Sequence, residues 1–146
     1  MARNPLYENP FRSPEDCGVL HVCRKVTLGD PKLAVGTFPI GAAEKNAIPI
    51  RAGVSITTVF NAATTNVLTL GTTADDDGFV TSANAAAGTL GVKEGSGALM
   101  GIPLAADTVF YAKFTQTGTA ATTGEGYMWV EFLVPRSRNP NTLAGS

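Results

Sequence analysis

The sequence has few of the residues on which enzymes and ligand sites depend. It contains one histidine, and charged residues make up 16% of its 146 residues, against roughly a quarter in ordinary soluble domains. Acid–base or nucleophilic catalysis needs a base beside a nucleophile, and His21 is the single imidazole that could serve such a pair. We therefore expect a protein that is not an enzyme. A surface so poor in charge is suited to being covered by other proteins.

The sequence also lacks a basic cluster and a long apolar run. The formal net charge is -1, with mildly basic ends and an acidic middle, whereas nucleic-acid binding needs a basic patch or stripe. No run approaches the roughly 18 consecutive apolar residues of a membrane span, and the N-terminus lacks the apolar core of a secretory signal. We expect a soluble protein, made in the cytoplasm, with no nucleic-acid partner and no membrane partner.

Candidate metal ligands are few and poorly spaced. Cys17, His21 and Cys23 form a C-x3-H-x-C cluster with no evident fourth ligand, whereas zinc sites usually have tight pairs of ligands around turns. The consecutive acids at 75–77 differ from the alternating ligands of calcium loops, and we expect them to accept hydrogen bonds within a turn. The glycine-rich stretch 91–97 lacks the spacing of a phosphate-binding loop. We expect no metal and no cofactor.

What is present is a period-two alternation of apolar residues, which predicts an all-β fold. Between residues 19 and 28 only Arg24 breaks this alternation. A strand here would hold Cys17 and Cys23 roughly 20 Å apart, beyond disulfide reach, so both are expected to be reduced. The last strand has one apolar face, formed by Met128, Val130, Phe132 and Val134. Seven or eight short strands favour an antiparallel β-sandwich or jelly roll.

Several local elements can also be predicted. Residues 32–38 have the character of a strand, and the runs 54–60 and 67–72 suggest a β-hairpin. Residues 81–87 form the one plausible helix, of about two turns. The glycine-rich segment 91–101 is expected to be loose.

The chain is expected to have an extended N-terminal arm at 1–16, a β-sandwich body at 17–135 and a short C-terminal tail at 136–146. Three prolines favour an extended arm without regular period. The arm carries three apolar anchors for binding a partner: Leu6, Tyr7 and Phe11. Whether the arm lies across its own body or across a neighbour stays open, and a disordered terminus is the alternative.

The sequence contains VFNAATTNVLTLGT at 59–72 and ADTVFYAKF at 106–114, followed by a Thr/Ala/Gly-rich loop at 115–126. These segments resemble small virion proteins of tailed phages, which are often encoded beside the major capsid protein, and the resemblance covers roughly residues 48–134. It implies a jelly-roll-like capsid cement, or decoration, protein on the outside of the assembled head. Such a protein would bind the major capsid protein as a homodimer or homotrimer, bridge neighbouring capsomers and have no catalytic residues.

The main alternative is a tail or fibre attachment module that contacts baseplate proteins or a host glycan. Tyr111, Tyr127 and Trp129 stand at odd positions together with Lys113 and Glu131, so they could form a sugar platform on the less apolar faces of the last two strands. Packing of Trp129 in the core is the preferred interpretation of that residue.

Overall fold

The computed structural model describes residues 17–84 and 86–135. The strands are β1 Cys17–Thr27, β2 Phe38–Ala43, β3 Ile48–Thr58, β4 Thr65–Gly71, β5 Gly91–Glu94, β6 Thr108–Thr117 and β7 Glu125–Pro135, and helix α1 is Pro31–Val35. The predicted arm, with Leu6, Tyr7 and Phe11, and the predicted tail lie outside the described residues. Within the described ranges, no helix is long and apolar enough to cross a membrane.

The strands form two antiparallel sheets that pack as a sandwich. Sheet A has the order β1-β7-β3-β5, and sheet B has the order β2-β6-β4. Each strand lies in the opposite sheet from the strand before it, so the chain crosses between sheets at every connection. An isolated bridge between Leu70 and Val80 lies on the free edge of β4. If this bridge is counted as a reduced strand, each sheet has four strands, as in a jelly roll of eight. The predicted all-β sandwich is confirmed.

The core lies between the two sheets and contains a cluster of phenylalanines. The apolar face predicted for β7 points inward, with Met128, Val130 and Phe132 fully buried. The Phe132 ring centroid is 5.2 Å from that of Phe110 on β6, and Phe79 meets both rings edge-on at 6.0 and 5.8 Å. Aromatic pairs of this geometry each stabilise by about 0.5–1.5 kcal/mol beyond their buried area. The cluster therefore fixes how the central strands of the two sheets face each other.

The predicted hairpin between 54–60 and 67–72 is wrong. Both runs contain strands, but β3 pairs with β7 and β5, whereas β4 pairs with β6. The connection between them crosses from sheet A to sheet B. Phe60 anchors this crossing, because its ring is almost fully buried and lies 4.7 Å from the Phe114 ring. A short loop uses the same turn residues in a hairpin and in a crossover, so local sequence does not separate the two.

The strand predicted at 32–38 is also wrong, because its first part is helix α1. Asp30 caps this helix: its carboxylate accepts a hydrogen bond from the Lys32 amide at 2.9 Å, and a proline occupies the first helical position. Gly36 ends the helix in the left-handed conformation, with φ of 78°. β2 then begins at the end of the predicted strand.

The described residues of the segment 81–87, which exclude residue 85, form turns and an isolated bridge at Ala86 in place of the predicted helix. The Asn84 side-chain oxygen accepts hydrogen bonds from the amide and the hydroxyl of Thr81 and from the amide of Ser96. Such bonds give the backbone an alternative to helical hydrogen bonding. The segment at 91–101, expected to be loose, begins with β5.

Arg24, which breaks the alternation of β1, closes the edge of the sandwich between the two sheets. Its guanidinium lies 4.7 Å from the centroid of the Phe38 ring and donates to the Pro39 carbonyl oxygen at 2.6 Å. Phe38 and Pro39 belong to β2, an edge strand of sheet B, and β1 is an edge strand of sheet A. A charge at an inward position of an edge strand also discourages pairing with other chains.

Candidate functional site

The outer face of sheet A carries an aromatic and charged surface. The register of β1, β7 and β3 places His21, Glu131 and Arg51 in one row and Cys23, Trp129 and Gly53 in the next. A shallow depression of about 380 Å³ lies over these rows. We call this surface the tryptophan face, and its lining residues are His21, Cys23, Arg51, Ser55, Val92, Tyr127, Trp129 and Glu131.

Trp129 lies against Gly53 on the neighbouring strand. A Cβ atom at Gly53 would lie 2.5 Å from Trp129 Cζ2 and 2.6 Å from the Lys93 carbonyl oxygen, so the indole occupies space that any other residue would need. Trp129 is partly buried on the outer face and is not part of the core. The preferred prediction of core packing is therefore wrong. A glycine in the interior of a strand is the sequence signal for such a close approach.

The charged side chains around Trp129 are paired with one another. His21 Nδ1 lies 3.3 Å from Glu131 Oε1. Arg51 donates from Nε to Glu94 at 2.9 Å, and its guanidinium lies over the Trp129 ring, 5.5 Å from the centroid. The hydrogen bond with Glu94 raises the pKa of Arg51. These pairings order the long side chains in advance, which reduces the entropy lost when a partner binds.

His21, Cys23 and Glu131 share this face without the properties of an activated nucleophile. Burial raises the pKa of the Cys23 thiol, whereas a catalytic cysteine needs a lowered pKa. Cys23 is a free thiol. β1 runs without a break through Cys17 and Cys23, which separates their backbones by about 20 Å, as predicted. In the part of the chain that the structure describes, no three His, Cys, Asp or Glu side chains are grouped to hold a metal.

The three residues considered for a sugar platform, Tyr111, Tyr127 and Trp129, do not form one site. Tyr127, Trp129 and Glu131 lie on β7 in sheet A, whereas Tyr111 and Lys113 lie on β6 in sheet B. The prediction that their faces are shared is therefore wrong, because the last two strands belong to opposite sheets. Tyr127 and Trp129 remain together on the tryptophan face.

The acidic residues at 75–77 lie in a turn, as predicted, and the acceptor that closes the turn is a backbone carbonyl oxygen. The Gly78 amide donates to the Asp75 carbonyl oxygen at 3.2 Å, and the Thr72 amide donates to the same oxygen at 2.7 Å. A hydrogen bond between the carboxyl groups of Asp75 and Asp77 raises the pKa of Asp77. Asp76 forms an ion pair with Lys113 at 2.9 Å.

A second candidate surface lies at one end of the sandwich, where the described chain begins and ends. Cys17, the first residue of β1, is paired with Pro135, the last residue of β7. A groove of about 610 Å³ lies beside this pair, lined by residues 18–20, 44–46 and 134–135. We call it the corner groove.

A second and more apolar groove, of about 540 Å³, lies at the same end. The Lys45 amide donates to Asp107 Oδ1 at 2.8 Å, which joins the wall of the corner groove to the wall of this second groove. The groove of about 540 Å³ is lined by Ile102 and Val109, whose side chains are 53% and 43% exposed. We call it the apolar groove, and its lining residues are 72–74, 99, 102–105, 107–109 and 111. Sequence reasoning missed both grooves, because irregular loops without periodicity form much of their walls.

No protein-family model and no curated protein sequence matches this chain. Among solved structures, its fold is similar to that of a chain in the capsid asymmetric unit of cyanophage Pam1, with a TM-score of 0.58 and 16% sequence identity. The match covers 82% of this chain and 87% of that chain. Little of the Pam1 chain therefore lies outside the shared fold. At this level of identity, the similarity is one of fold.

Proposed function

We propose that this chain is a structural virion protein that binds the outside of a phage head and cements neighbouring capsomers of the major capsid protein. The observation that carries the proposal is the similarity of fold, over 82% of this chain, to a chain of the Pam1 capsid. The resemblance of 59–72 and 106–114 to tailed-phage virion proteins supports the same role from the sequence. A capsid chain made almost entirely of this fold also indicates that the fold needs no further domain to take part in a capsid.

A protein that cements capsomers needs at least two separate adhesive surfaces. The tryptophan face lies on the outside of sheet A, and the two grooves lie at the end of the sandwich. Tryptophan, tyrosine and arginine are the residues most enriched in interface hot spots, and Trp129, Tyr127 and Arg51 all line the tryptophan face. Several modest contacts made together hold a partner far more tightly than any one of them. Two such surfaces support a bridging role.

The arm extends the reach of the grooved end. The 16 residues before Cys17 span at most about 55 Å when fully extended. Leu6, Tyr7 and Phe11 can fill grooves of the shell, or the arm can add backbone hydrogen bonds to a sheet edge. We therefore assign the arm to contact with the major capsid protein.

We propose that the protein acts by contact alone and uses no catalysis, metal or cofactor. It would be made in the host cytoplasm and then bind to the exterior of the virion. The raised pKa of Cys23 and the mutual pairing of the charged residues support a face built for contact. The edge of sheet A at β5, opposite the edge that carries Arg24, supports assembly as a homodimer or homotrimer. A net charge of -1 gives no support for a nucleic-acid partner.

The test is to mix purified protein with heads that lack it, remove the unbound protein and image the heads by electron cryomicroscopy. Added density at repeating lattice positions is the expected result. Trp129→Ala should weaken binding about 30-fold or more, as the loss of an interface hot spot does. Val35→Ala is the matched control, because Val35 is 68% exposed on α1 and should bind as the native protein does. Bare heads with the native protein would refute the proposal.

A tail or fibre attachment module is the second candidate, and the tryptophan face favours it. A partly exposed indole beside Glu131 and Arg51 can stack on a sugar ring while the charged groups bond to its hydroxyls. Density confined to the tail, together with glycan binding that Trp129→Ala removes, would support this function in place of cementing.

A further inference from the structure

The N-terminal arm starts beside the two grooves at the end of the sandwich. Cys17 follows the arm directly, and the next three residues, 18–20, form one wall of the corner groove. The Lys45–Asp107 hydrogen bond joins the corner groove to the apolar groove. An arm that leaves β1 at Cys17 therefore has a continuous surface to follow from the first groove to the second.

Exposed apolar side chains are concentrated at this end. Among the described residues, four of the eight exposed large hydrophobic side chains are here: Val19 (65%), Ile50 (44%), Ile102 (53%) and Val109 (43%). A hydrogen bond from the Gly101 amide to the Pro49 carbonyl oxygen, at 2.7 Å, holds the loop of Ile102 beside the start of β3, which contains Ile50. Val19 lines the corner groove, and Ile102 and Val109 line the apolar groove. Exposed apolar side chains within grooves are characteristic of binding sites.

The arm is long enough, and the apolar groove large enough, for its aromatic anchors. Phe11 precedes Cys17 by six residues and Tyr7 by ten, so their backbones reach at most about 20 Å and 35 Å from it. Packed sheets are about 10 Å apart, which puts the sheet B side of the molecule within reach of both anchors. A cavity of about 150 Å³ holds benzene. The apolar groove, at about 540 Å³, has room for more than one aromatic ring.

We propose that in the free protein residues 1–16 lie along the corner groove and seat Phe11 and Tyr7 in the apolar groove of the same chain. A short tether gives the arm an effective concentration in the millimolar range at its own groove, well above the concentration of other copies in dilute solution. Three prolines in the arm reduce the entropy lost when it becomes ordered. Any partner of the arm, or of the groove, must first displace this contact.

The inference concerns the free protein and does not depend on the proposed function. It is tested with ¹⁵N-labelled protein, by comparing the amide NMR signals of the full chain with those of a chain lacking residues 1–14. Deletion should shift the signals of residues 72–74 and 102–109, and a synthetic peptide of residues 1–16 added to the truncated chain should reverse those shifts. Shifts confined to residues 17–20, with no response to the peptide, would overturn the inference.

Trypsin cleavage after Arg12 provides a second readout, because a docked arm protects this bond. Ile102→Asp places a charge in the apolar groove and should speed cleavage about tenfold or more by releasing the arm. Val35→Asp, at an exposed valine on α1, is the matched control and should leave the rate unchanged. Phe11→Ala alters no residue of the body and should act as Ile102→Asp does. Equal rates in all four proteins would contradict docking, and protection lost on dilution would show that the arm binds another copy instead.

Discussion

Replacement of Gly53 by alanine is expected to displace Trp129 and destabilise sheet A. The new Cβ would lie 2.5 Å from Cζ2 and 2.9 Å from Cε2 of Trp129, and 2.6 Å from the Lys93 carbonyl oxygen. The indole can tilt outward, but the carbonyl belongs to β5 and moves only if the pairing of β3 with β5 loosens. Overpacking of this kind lowers the free energy of unfolding by about 1–3 kcal/mol. For a chain of this size, that corresponds to a Tm lower by roughly 3–10 °C.

Trp129 is the single tryptophan of the chain, so its fluorescence reports directly on this contact. Gly53→Ala should shift the emission to the red and lower the calorimetric Tm. Ser55→Ala, at the next outward position of β3, is the matched control and should change neither quantity appreciably. Adding Trp129→Val to Gly53→Ala should recover only part of the lost stability. It removes the clash with the indole, but the clash of the new Cβ with the Lys93 carbonyl oxygen remains. If Gly53→Ala keeps the native Tm and emission maximum, Trp129 does not rest on Gly53 and this description of the tryptophan face is wrong.

Three further substitutions test the core, the sandwich edge and the acidic turn. Phe132→Ala should lower the free energy of unfolding in urea by about 3–5 kcal/mol, since the ring is fully buried in the aromatic cluster. Arg24→Ala should lower it by about 1–2 kcal/mol and increase light scattering at high concentration, because the bond to Pro39 and the inward charge are lost. The folded pKa of Asp77 is raised, so the bond to Asp75 stabilises fully below the ordinary pKa of 3.8 and is lost as pH rises through the folded pKa. Asp77→Asn should therefore gain stability relative to the native protein as pH rises through that range, by no more than about 0.5 kcal/mol, and a constant difference in urea unfolding would contradict this.

The strands could be predicted from the sequence, because alternation is a local property. Successive residues of β7 alternate between the core and the outer face, and the apolar face at Met128 and Phe132 follows from that period alone. The partners of the strands could not be predicted. Every connection crosses to the other sheet, so the strands that pair are distant in the chain. A hairpin at 54–72 is the pairing that local sequence favours, and it does not form. Helix α1 carried its own signal in Asp30, Pro31 and Gly36, which the apolar residues of the segment obscured.

The tryptophan face could be predicted only in part. Alternation correctly places Tyr127, Trp129 and Glu131 on the less apolar side of their strand, but a large aromatic residue is so often buried that residue type alone favours core packing for Trp129. Gly53 is the residue that allows Trp129 to lie against β3 on the outer face, and this role can be recognised only when Gly53 is known to pair with Trp129 across β3 and β7. A glycine within a strand suggests a close approach, but it does not identify the residue that approaches.

The strand order also determines how the two candidate surfaces are related. Because β1 and β7 pair antiparallel, the start of the first strand and the end of the last meet at Cys17 and Pro135. The first and last residues of the described body therefore lie at one corner, beside the exposed apolar side chains of that end. The tryptophan face lies around the middle of β7, at Trp129, several residues from that corner. The proposed cementing function requires two partners to bind at the same time, and the separation of the tryptophan face from this corner meets that requirement.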